Sequence, residues 1–197
     1  MNAFVIHGTY GNPQENWFPW LKAELEKICY SVFVPKFPTP ENQNLDNWLV
    51  VFEKYKQHLD KETIFVGHSL GSAFILNLLE RIEVPVKACF FVSGFVGNLN
   101  NPKFDELNDS IANKEFNWKK IKKNCNHFFV FHSDNDLYVP GEKAVELAKY
   151  LGIKPIIVKG AGHFNADSGY TTFPLLLKQI KKFSSQAERN LPALAGR

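Results

Sequence analysis

Residues 63–72 read TIFVGHSLGS and carry the clearest structural signal in the chain. The β-favouring residues Thr63 to Val66 are followed by Gly67, Ser69 and Gly71, and an apolar, helix-like run comes next. Glycines two positions before and after a serine indicate a backbone turn too tight for side chains at its flanks. The sequence therefore predicts a strand, a sharp turn with Ser69 at its apex, and a helix.

The same alternation of apolar strands and helix-like segments extends along the chain on both sides of this turn. Strands are predicted near residues 3–7, 31–35, 63–66, 86–93, 128–132 and 155–159, and helices at 17–28, 45–59, 70–82, 141–151 and 172–183. Several strands are continuously apolar, which is typical of strands covered on both faces. We therefore expect a three-layer α/β/α sandwich with a mostly parallel six-stranded sheet.

The length of 197 residues fits a single domain, predicted at 1–186. One connection, 94–117, is long, rich in asparagine and weakly periodic, so we expect a loop with at most a short helix. It is either a small lid over a ligand crevice or a mobile surface insertion. The tail at 187–197 is predicted to fray.

Composition excludes several classes of protein. Hydrophobic residues make up 45% and charged residues 22%, which are ordinary globular values. No apolar run approaches the ~20 residues that cross a bilayer, so no membrane partner is expected. The net charge of +3 does not indicate nucleic-acid binding. The lysine-rich stretch WKKIKK at 118–123 is interpreted as an amphipathic helix with a solvated face, an anion-binding patch being the alternative.

The cysteines and the N-terminus bear on location. The three cysteines are odd in number and widely spaced, which indicates reduced thiols and neither a disulfide framework nor a metal site. The N-terminal residues MNAFVIHG indicate a first strand and no signal peptide, so a cytoplasmic location is expected.

Ser69 lies in a G-x-S-x-G pattern between a strand and a helix, the context in which that pattern presents a nucleophile. A serine hydroxyl is a weak nucleophile, so it needs a base and an acid that orients the base. Asp134 and Asp136 follow the predicted fifth strand, and either could instead cap a helix or close a turn. His163 follows the sixth strand between flexible glycines and is the candidate base. Serine, aspartate and histidine thus occur in the order Ser–Asp–His, each just past a predicted strand.

An acyl-transfer site also needs donors for the oxyanion and a pocket for the acyl group. The N–H of Leu70, directly after the nucleophile, is one candidate donor, and the N–H of Thr9 or Tyr10 in the loop after the first strand is the other. Phe95 and Val96 are the predicted substrate-binding residues. Leu99, Trp17 and Trp20 could join them, although aromatic residues at such spacings often belong to the core.

Four segments of the chain resemble an α/β-hydrolase, and more narrowly the small serine hydrolases of the YdeN and retinoblastoma-binding-protein type. They are FVIHGTYGNPQENWFPWLKAEL at the front, GHSLGSAFILNLLE, SDNDLYVP and GAGHFN. The resemblance spans Ala3 to Phe183. It implies Asp136, four residues before the proline of its turn, as the triad acid in preference to Asp134, and it implies no large lid domain.

Two functions follow as hypotheses. The first is a cofactor-free serine hydrolase that acts on a small carboxylic ester or related acyl compound; neither nucleotide-binding glycine motif occurs in the chain. The second is a protein-binding module of the same fold, with exposed aromatic residues of NWFPWL at 16–21 as its contact surface. A dehalogenase or epoxide hydrolase would need a carboxylate where Ser69 stands.

Overall fold

The computed structural model describes residues 1–189, and the side chains of residues 1–184. Six strands form one sheet with the order β2-β1-β3-β4-β5-β6, and every neighbouring pair is parallel. The strands are β1 Asn2–Ile6, β2 Ser31–Phe33, β3 Ile64–His68, β4 Ala88–Val92, β5 Phe128–Ser133 and β6 Ile156–Val158. The predicted six-stranded parallel sheet is therefore confirmed.

Within residues 1–189, seven α-helices lie between or after the strands and cover both faces of the sheet. They are α1 Phe18–Glu26, α2 Leu45–Glu53, α3 Leu70–Leu79, α4 Pro102–Ala112, α5 Trp118–Asn124, α6 Gly141–Leu151 and α7 Pro174–Arg189. None of the helices within residues 1–189 has the length and apolar character needed to cross a bilayer.

The sheet separates two hydrophobic cores. Along β1, Phe4 and Ile6 point into one core, whereas Ala3 and Val5 point into the other. Residues of α3 and α6 contribute to the first core, and residues of α1 and α7 to the second. Strands buried on both faces explain the continuously apolar runs in the sequence.

The segment 94–117 differs from the expectation of a loop with at most a short helix, because it contains the 11-residue helix α4. Proline in its first turn is compatible with a helix start, since the missing N–H has no partner there anyway. Few residues of α4 are buried, among them Ile111 and Ala112. So narrow an apolar stripe gives a weak periodic signal in the sequence. The helix is stabilised by its packing against α3, which the local sequence does not show.

Other differences lie at element ends. The second helix ends at Glu53, and a 3-10 turn at Lys56–His58 replaces its predicted last part. The lysine-rich stretch 118–123 forms most of α5, with Ile121 buried and its four lysines exposed, as predicted for an amphipathic helix. All three cysteines are free thiols. Of the tail predicted to fray, residues 187–189 belong to α7 and the rest lies outside the described residues.

The turn between β3 and α3 depends on two glycines. A Cβ atom on Gly67 would lie 2.8 Å from the backbone nitrogen of Ser72. A Cβ atom on Gly71 would lie 2.7 Å from the carbonyl oxygen of His7 and closer still to that of Ile6. Both distances are far below van der Waals contact with backbone that cannot move aside. The first turn of α3 can therefore pack against the end of β1 only without these side chains.

We predict that Gly71→Ala destabilises the protein severely, because its methyl group would overlap carbonyl oxygens of β1. Gly141→Ala is the matched control: it starts α6, a Cβ there meets nothing within 4 Å, and alanine favours the helix. Thermal unfolding followed by circular dichroism measures both. Equal midpoints for Gly71→Ala and the wild type would contradict the proposed crowding.

Candidate active site

Three predicted site residues follow three different strands at one edge of the sheet. Ser69 follows β3, Asp136 lies in the turn after β5, and His163 lies in the loop after β6. Because the strands are parallel, their carboxyl ends share this edge. Ser69 and His163 line one cleft of about 370 Å³. The Asp136 side chain is fully buried behind the imidazole of His163, which is 11% exposed.

Ser69 has a strained backbone, with φ 53° and ψ −125°, values that a residue with a side chain rarely adopts. Its N–H donates to the carbonyl of Val92 at 2.9 Å, and its carbonyl accepts from the N–H of Ser72 at 3.0 Å. A Cβ atom on Gly8 would lie 3.2 Å from the Ser69 hydroxyl oxygen, so the loop after β1 passes directly beside that hydroxyl. The hydroxyl is thus held at the wall of the cleft.

The carboxylate of Asp136 accepts hydrogen bonds from several directions. His163 Nδ1 lies 2.9 and 3.0 Å from its two oxygens, the Ser93 hydroxyl donates to it at 2.7 Å, and the N–H groups of Tyr138 and Val139 donate at 2.9 and 3.0 Å. Burial by itself would raise the pKa of Asp136, but the hydrogen bond and charge of His163, with the bonds from Ser93 and Val139, lower this pKa to about 2. Asp136 is therefore ionised at neutral pH.

Ser93 is a site residue that the sequence did not reveal. It follows β4, is fully buried, and has a positive φ of 48°. A lone Ser-Gly pair after an apolar strand reads as an ordinary turn, so no local signal identified its contact with Asp136.

The loop that carries His163 is fixed by the residues just before Asp136. Three backbone N–H groups before His163 donate to side chains of this turn: Gly160 to Asp134 Oδ1 at 2.7 Å, Ala161 to Ser133 Oγ at 2.9 Å and Gly162 to Asn135 Oδ1 at 2.8 Å. Asp134 thus holds the backbone of the histidine loop, and Asp136 contacts the imidazole. The two aspartates therefore make different contacts, although the residue pattern alone left open which of them faces the histidine.

Two further histidines, His68 in the cleft lining and His7 behind it, support the loops of the site. The imidazole of His68 is 4% exposed and its Nε2 donates to the carbonyl of His163 at 2.8 Å. Burial, with the nearby His163, lowers the pKa of His68 to about 3.

His7 is fully buried; its Nδ1 donates to the carbonyl of Gly8 at 2.8 Å, and its Nε2 accepts from the N–H of Phe37 at 3.0 Å. Burial lowers the pKa of His7 to about 4. Both rings are neutral and hold the loops around Ser69 through hydrogen bonds.

Of the candidate oxyanion donors, Thr9 lines the cleft, and Leu70 is the residue directly after Ser69. Leu70 is the first residue of α3, so its N–H has no carbonyl partner within the helix. Thr9 lines the cleft beside Ser69. The N–H of Tyr10, the alternative to Thr9, already donates to the Thr39 hydroxyl at 2.7 Å. Thr9 is therefore the remaining candidate from the loop after β1.

The predicted substrate-binding residues Phe95 and Val96 do not line the cleft, which corrects that part of the sequence interpretation. They are 0% and 5% exposed and belong to the core. The N–H of Gly97 donates to the carbonyl of Ala112 at 2.8 Å, so this segment is tied to the C-terminal end of α4. One wall of the cleft is formed instead by Tyr10, Leu99, Phe104, Tyr138 and Val139. Glu15, Asn16, Asn165, Ala166 and Asp167 lie in the same lining.

The aromatic segment NWFPWL does not form the exposed contact surface expected for a binding module. Trp17 and Phe18 are fully buried in the second core, and Trp20 is half-buried. The Trp17 indole N–H donates to the carbonyl of Phe164 at 2.9 Å, which links this segment to the histidine loop. The aromatic residues are therefore structural.

The buried histidines predict how stability depends on pH. The folded pKa values of His7 and His68 lie below the ordinary 6.5. The free energy of unfolding is therefore highest above pH 6.5, and it falls as pH drops toward 4 for His7 and toward 3 for His68. Each contributes a slope of about 1.4 kcal/mol per pH unit in that range. Asp136, with a pKa of about 2, adds its loss only below pH 3.8.

We therefore expect His68→Gln, which keeps a donor for the His163 carbonyl but cannot be protonated, to remove about 1.4 kcal/mol per pH unit from the slope between pH 6 and 4. Denaturant unfolding at a series of pH values measures the slope. The control is His127→Gln, since His127 is exposed. A slope that both substitutions leave unchanged would show that His68 is not a neutral buried group.

Comparisons with known proteins agree with this fold. The serine hydrolase family model matches residues 3–182. YdeN of Bacillus subtilis (strain 168) is 30% identical over 189 residues, which cover 95% of this chain and 98% of YdeN. The serine hydrolase RBBP9 of Rattus norvegicus is 27% identical over 188 residues, or 94% of this chain and 96% of that protein.

Solved structures show the same architecture. The crystal structure of YdeN has a TM-score of 0.87 at 28% identity and covers 93% of this chain and 98% of its own. Est1E from Butyrivibrio proteoclasticus, at 19% identity, has a TM-score of 0.70 and covers 95% of this chain and 88% of its own, a likeness of fold. The architecture is that of the α/β-hydrolases, and the chain belongs to the serine hydrolase family.

Proposed function

We propose that this serine hydrolase cleaves small carboxylic esters through an acyl-enzyme formed on Ser69, with His163 and Asp136 as the other members of a catalytic triad. The observation that carries the proposal is the contact of His163 Nδ1 with the buried, ionised Asp136, in a loop that lines the same cleft as Ser69. This contact leaves Nε2 of the imidazole as the nitrogen available to a substrate or to the serine.

The reaction then follows from the position of each group. His163 Nε2 takes the proton of the Ser69 hydroxyl as its oxygen attacks the ester carbonyl, and Asp136 stabilises the imidazolium. His163 next gives that proton to the departing alcohol, which leaves the acyl group bonded to Ser69. A water molecule, deprotonated by His163, attacks the acyl carbon, and collapse of the second tetrahedral intermediate releases the acid and restores the serine.

The N–H groups of Leu70 and Thr9 are the proposed oxyanion hole. Leu70 follows the nucleophile at the start of α3, and Thr9 lies in the loop that passes beside the Ser69 hydroxyl. Each such donor contributes on the order of 3 kcal/mol to lowering the barrier. Because the strained turn and the glycine contacts fix both segments, these donors need no rearrangement during the reaction.

The size of the cleft supports a small substrate. A cleft of about 370 Å³ is near the lower end of the range for small-molecule sites. The rings of Tyr10 and Tyr138 each contact Phe104 on α4 with centroids 6.1 Å apart, so these aromatic residues form one continuous wall. We therefore propose a short acyl group.

A protein-binding module is the alternative, but the burial of Trp17 and Phe18 removes the surface on which it depended. A protein partner, like the cytoplasmic location and the expected absence of nucleic-acid and membrane partners, stays a prediction from the sequence.

A fluorophosphonate probe tests the nucleophile. The wild type should be labelled and Ser69→Ala should not, since the probe traps an activated serine. Asp136→Asn should lower kcat on p-nitrophenyl acetate by about 10⁴-fold, because an amide cannot hold the required tautomer of His163. Asp134→Asn keeps the oxygen that accepts from Gly160 and is the matched control, with activity near wild type. A correctly folded wild type that is not labelled would favour the binding module.

A graded series of p-nitrophenyl esters tests the size of the acyl group. We expect kcat/KM to fall for acyl chains longer than about six carbons, because the cleft offers no room for them. A parallel amide substrate measures the preference for ester over amide. Activity that keeps rising to long acyl chains would contradict the short-chain proposal.

A further inference from the structure

A polar side chain outside the proposed triad lies in the wall of the cleft. Asn108 on α4 is 4% exposed and lines the same cleft as Ser69, one helical turn after Phe104. Its Oδ1 accepts hydrogen bonds from the Thr9 hydroxyl at 2.5 Å and from Gln43 Nε2 at 3.1 Å. The oxygen of the amide thus faces the loop after β1, and the nitrogen faces the other way.

Backbone groups fix this orientation of the Asn108 amide by fixing that of Gln43. Gln43 Nε2 donates to the carbonyl of Leu107 at 2.8 Å, so the amide nitrogen of Gln43 must be on that side. On the oxygen side of the Gln43 amide, the Thr39 hydroxyl accepts from the N–H of Tyr10 and donates to Gln43 Oε1 at 2.6 Å. A flipped Asn108 would set its NH₂ group against the NH₂ group of Gln43, with two donors and no acceptor.

The Nδ2 group of Asn108 is therefore left with two N–H donors and no acceptor among the described residues. Within the described side chains, the orphaned polar atoms that are sealed from solvent belong to His132. Nδ2 is not among them, so it keeps access to solvent, and the opening that Asn108 lines is the cleft. A nearly buried donor with a fixed direction and no protein partner is a binding group for a ligand acceptor.

The proposed mechanism assigns this donor to the acyl side of the substrate. The leaving alcohol must lie near His163, which protonates it, and Asn165 to Asp167 continue from His163 along the cleft lining. The carbonyl oxygen must lie near Thr9, whose hydroxyl is bonded to Asn108. The acyl group takes the remaining direction at the carbonyl carbon, along the wall to which Phe104 and Asn108 of α4 belong.

Resting on the proposed function, we propose that Asn108 donates a hydrogen bond to an oxygen atom within the acyl group. The preferred substrates are then esters of short oxygen-bearing acids, such as hydroxy, alkoxy or oxo acids. A hydrocarbon chain would displace water from Nδ2 without replacing its hydrogen bond, whereas an ether, hydroxyl or keto oxygen replaces it.

Matched pairs of esters test this preference. p-Nitrophenyl 3-methoxypropionate and pentanoate differ by one oxygen in place of a methylene group, as do the methoxyacetate and butyrate. Each kcat/KM is divided by the rate of alkaline hydrolysis of the same ester, which removes intrinsic reactivity. We expect the wild type to favour the oxygen-bearing member of at least one pair by about tenfold, the effect of one good hydrogen bond.

Two variants separate the donor from the scaffold. Asn108→Asp keeps oxygens for Thr9 and Gln43 but replaces the NH₂ group with an acceptor, so it should lose or reverse the preference. Thr9→Val removes one hydrogen bond to Asn108 but leaves Nδ2 in place, so it should lower kcat/KM for both members of a pair alike and keep the preference. Circular dichroism and fluorophosphonate labelling establish that each variant is folded.

The outcomes distinguish this proposal from the one on which it rests. Labelling and ester hydrolysis with no preference in any pair, or a preference that Asn108→Asp retains, would overturn the role of Asn108 and leave the hydrolase mechanism intact. A folded wild type that is neither labelled nor active on any of the esters would refute the proposed esterase function and the Asn108 proposal together.

Discussion

The close contact between the first turn of α3 and the end of β1 is the constraint on which the rest of the site depends. Gly71 allows the helix to approach the carbonyls of Ile6 and His7, and Gly67 allows the strand to approach Ser72. This contact forces Ser69 into its strained backbone conformation and brings its hydroxyl beside the loop after β1. Two cores that bury both faces of the sheet supply the stability that maintains the strain.

Around this turn, the histidine loop is held by many small interactions rather than by one strong one. Residues 133–136 bind residues 160–163 through three side chain–backbone hydrogen bonds and the contact of Asp136 with His163. The neutral imidazole of His68 donates a hydrogen bond to the carbonyl of His163. A loop fixed at each of four consecutive residues presents its imidazole in one orientation, which the proposed role of His163 as a general base requires.

On the opposite side of the cleft, α4 serves as a small fixed cap. It reaches the loop after β1 through the bond of Thr9 to Asn108, and Gln43 bonds to its backbone at Leu107. Phe104 joins the aromatic rings of both rims. The same helix thus contributes Phe104 and Asn108 to the cleft lining and supports the candidate oxyanion loop. Under the proposed function, these side chains set which acyl groups fit.

The sequence by itself determined the order of strands and helices, the turn at Ser69 and the candidates that follow later strands, because strand burial and glycine spacing are local signals. It placed Phe95 and Val96 in the pocket and predicted a loop with at most a short helix where α4 forms. It did not reveal the roles of Ser93 and Asn108, or that His7 and His68 hold the loops around Ser69. Those roles depend on contacts between residues distant along the chain, such as Ser93 with Asp136 and Thr9 with Asn108. Only the tertiary structure decided them, since an isolated serine, asparagine or histidine gives the same local pattern whether it packs, turns the chain or binds a substrate.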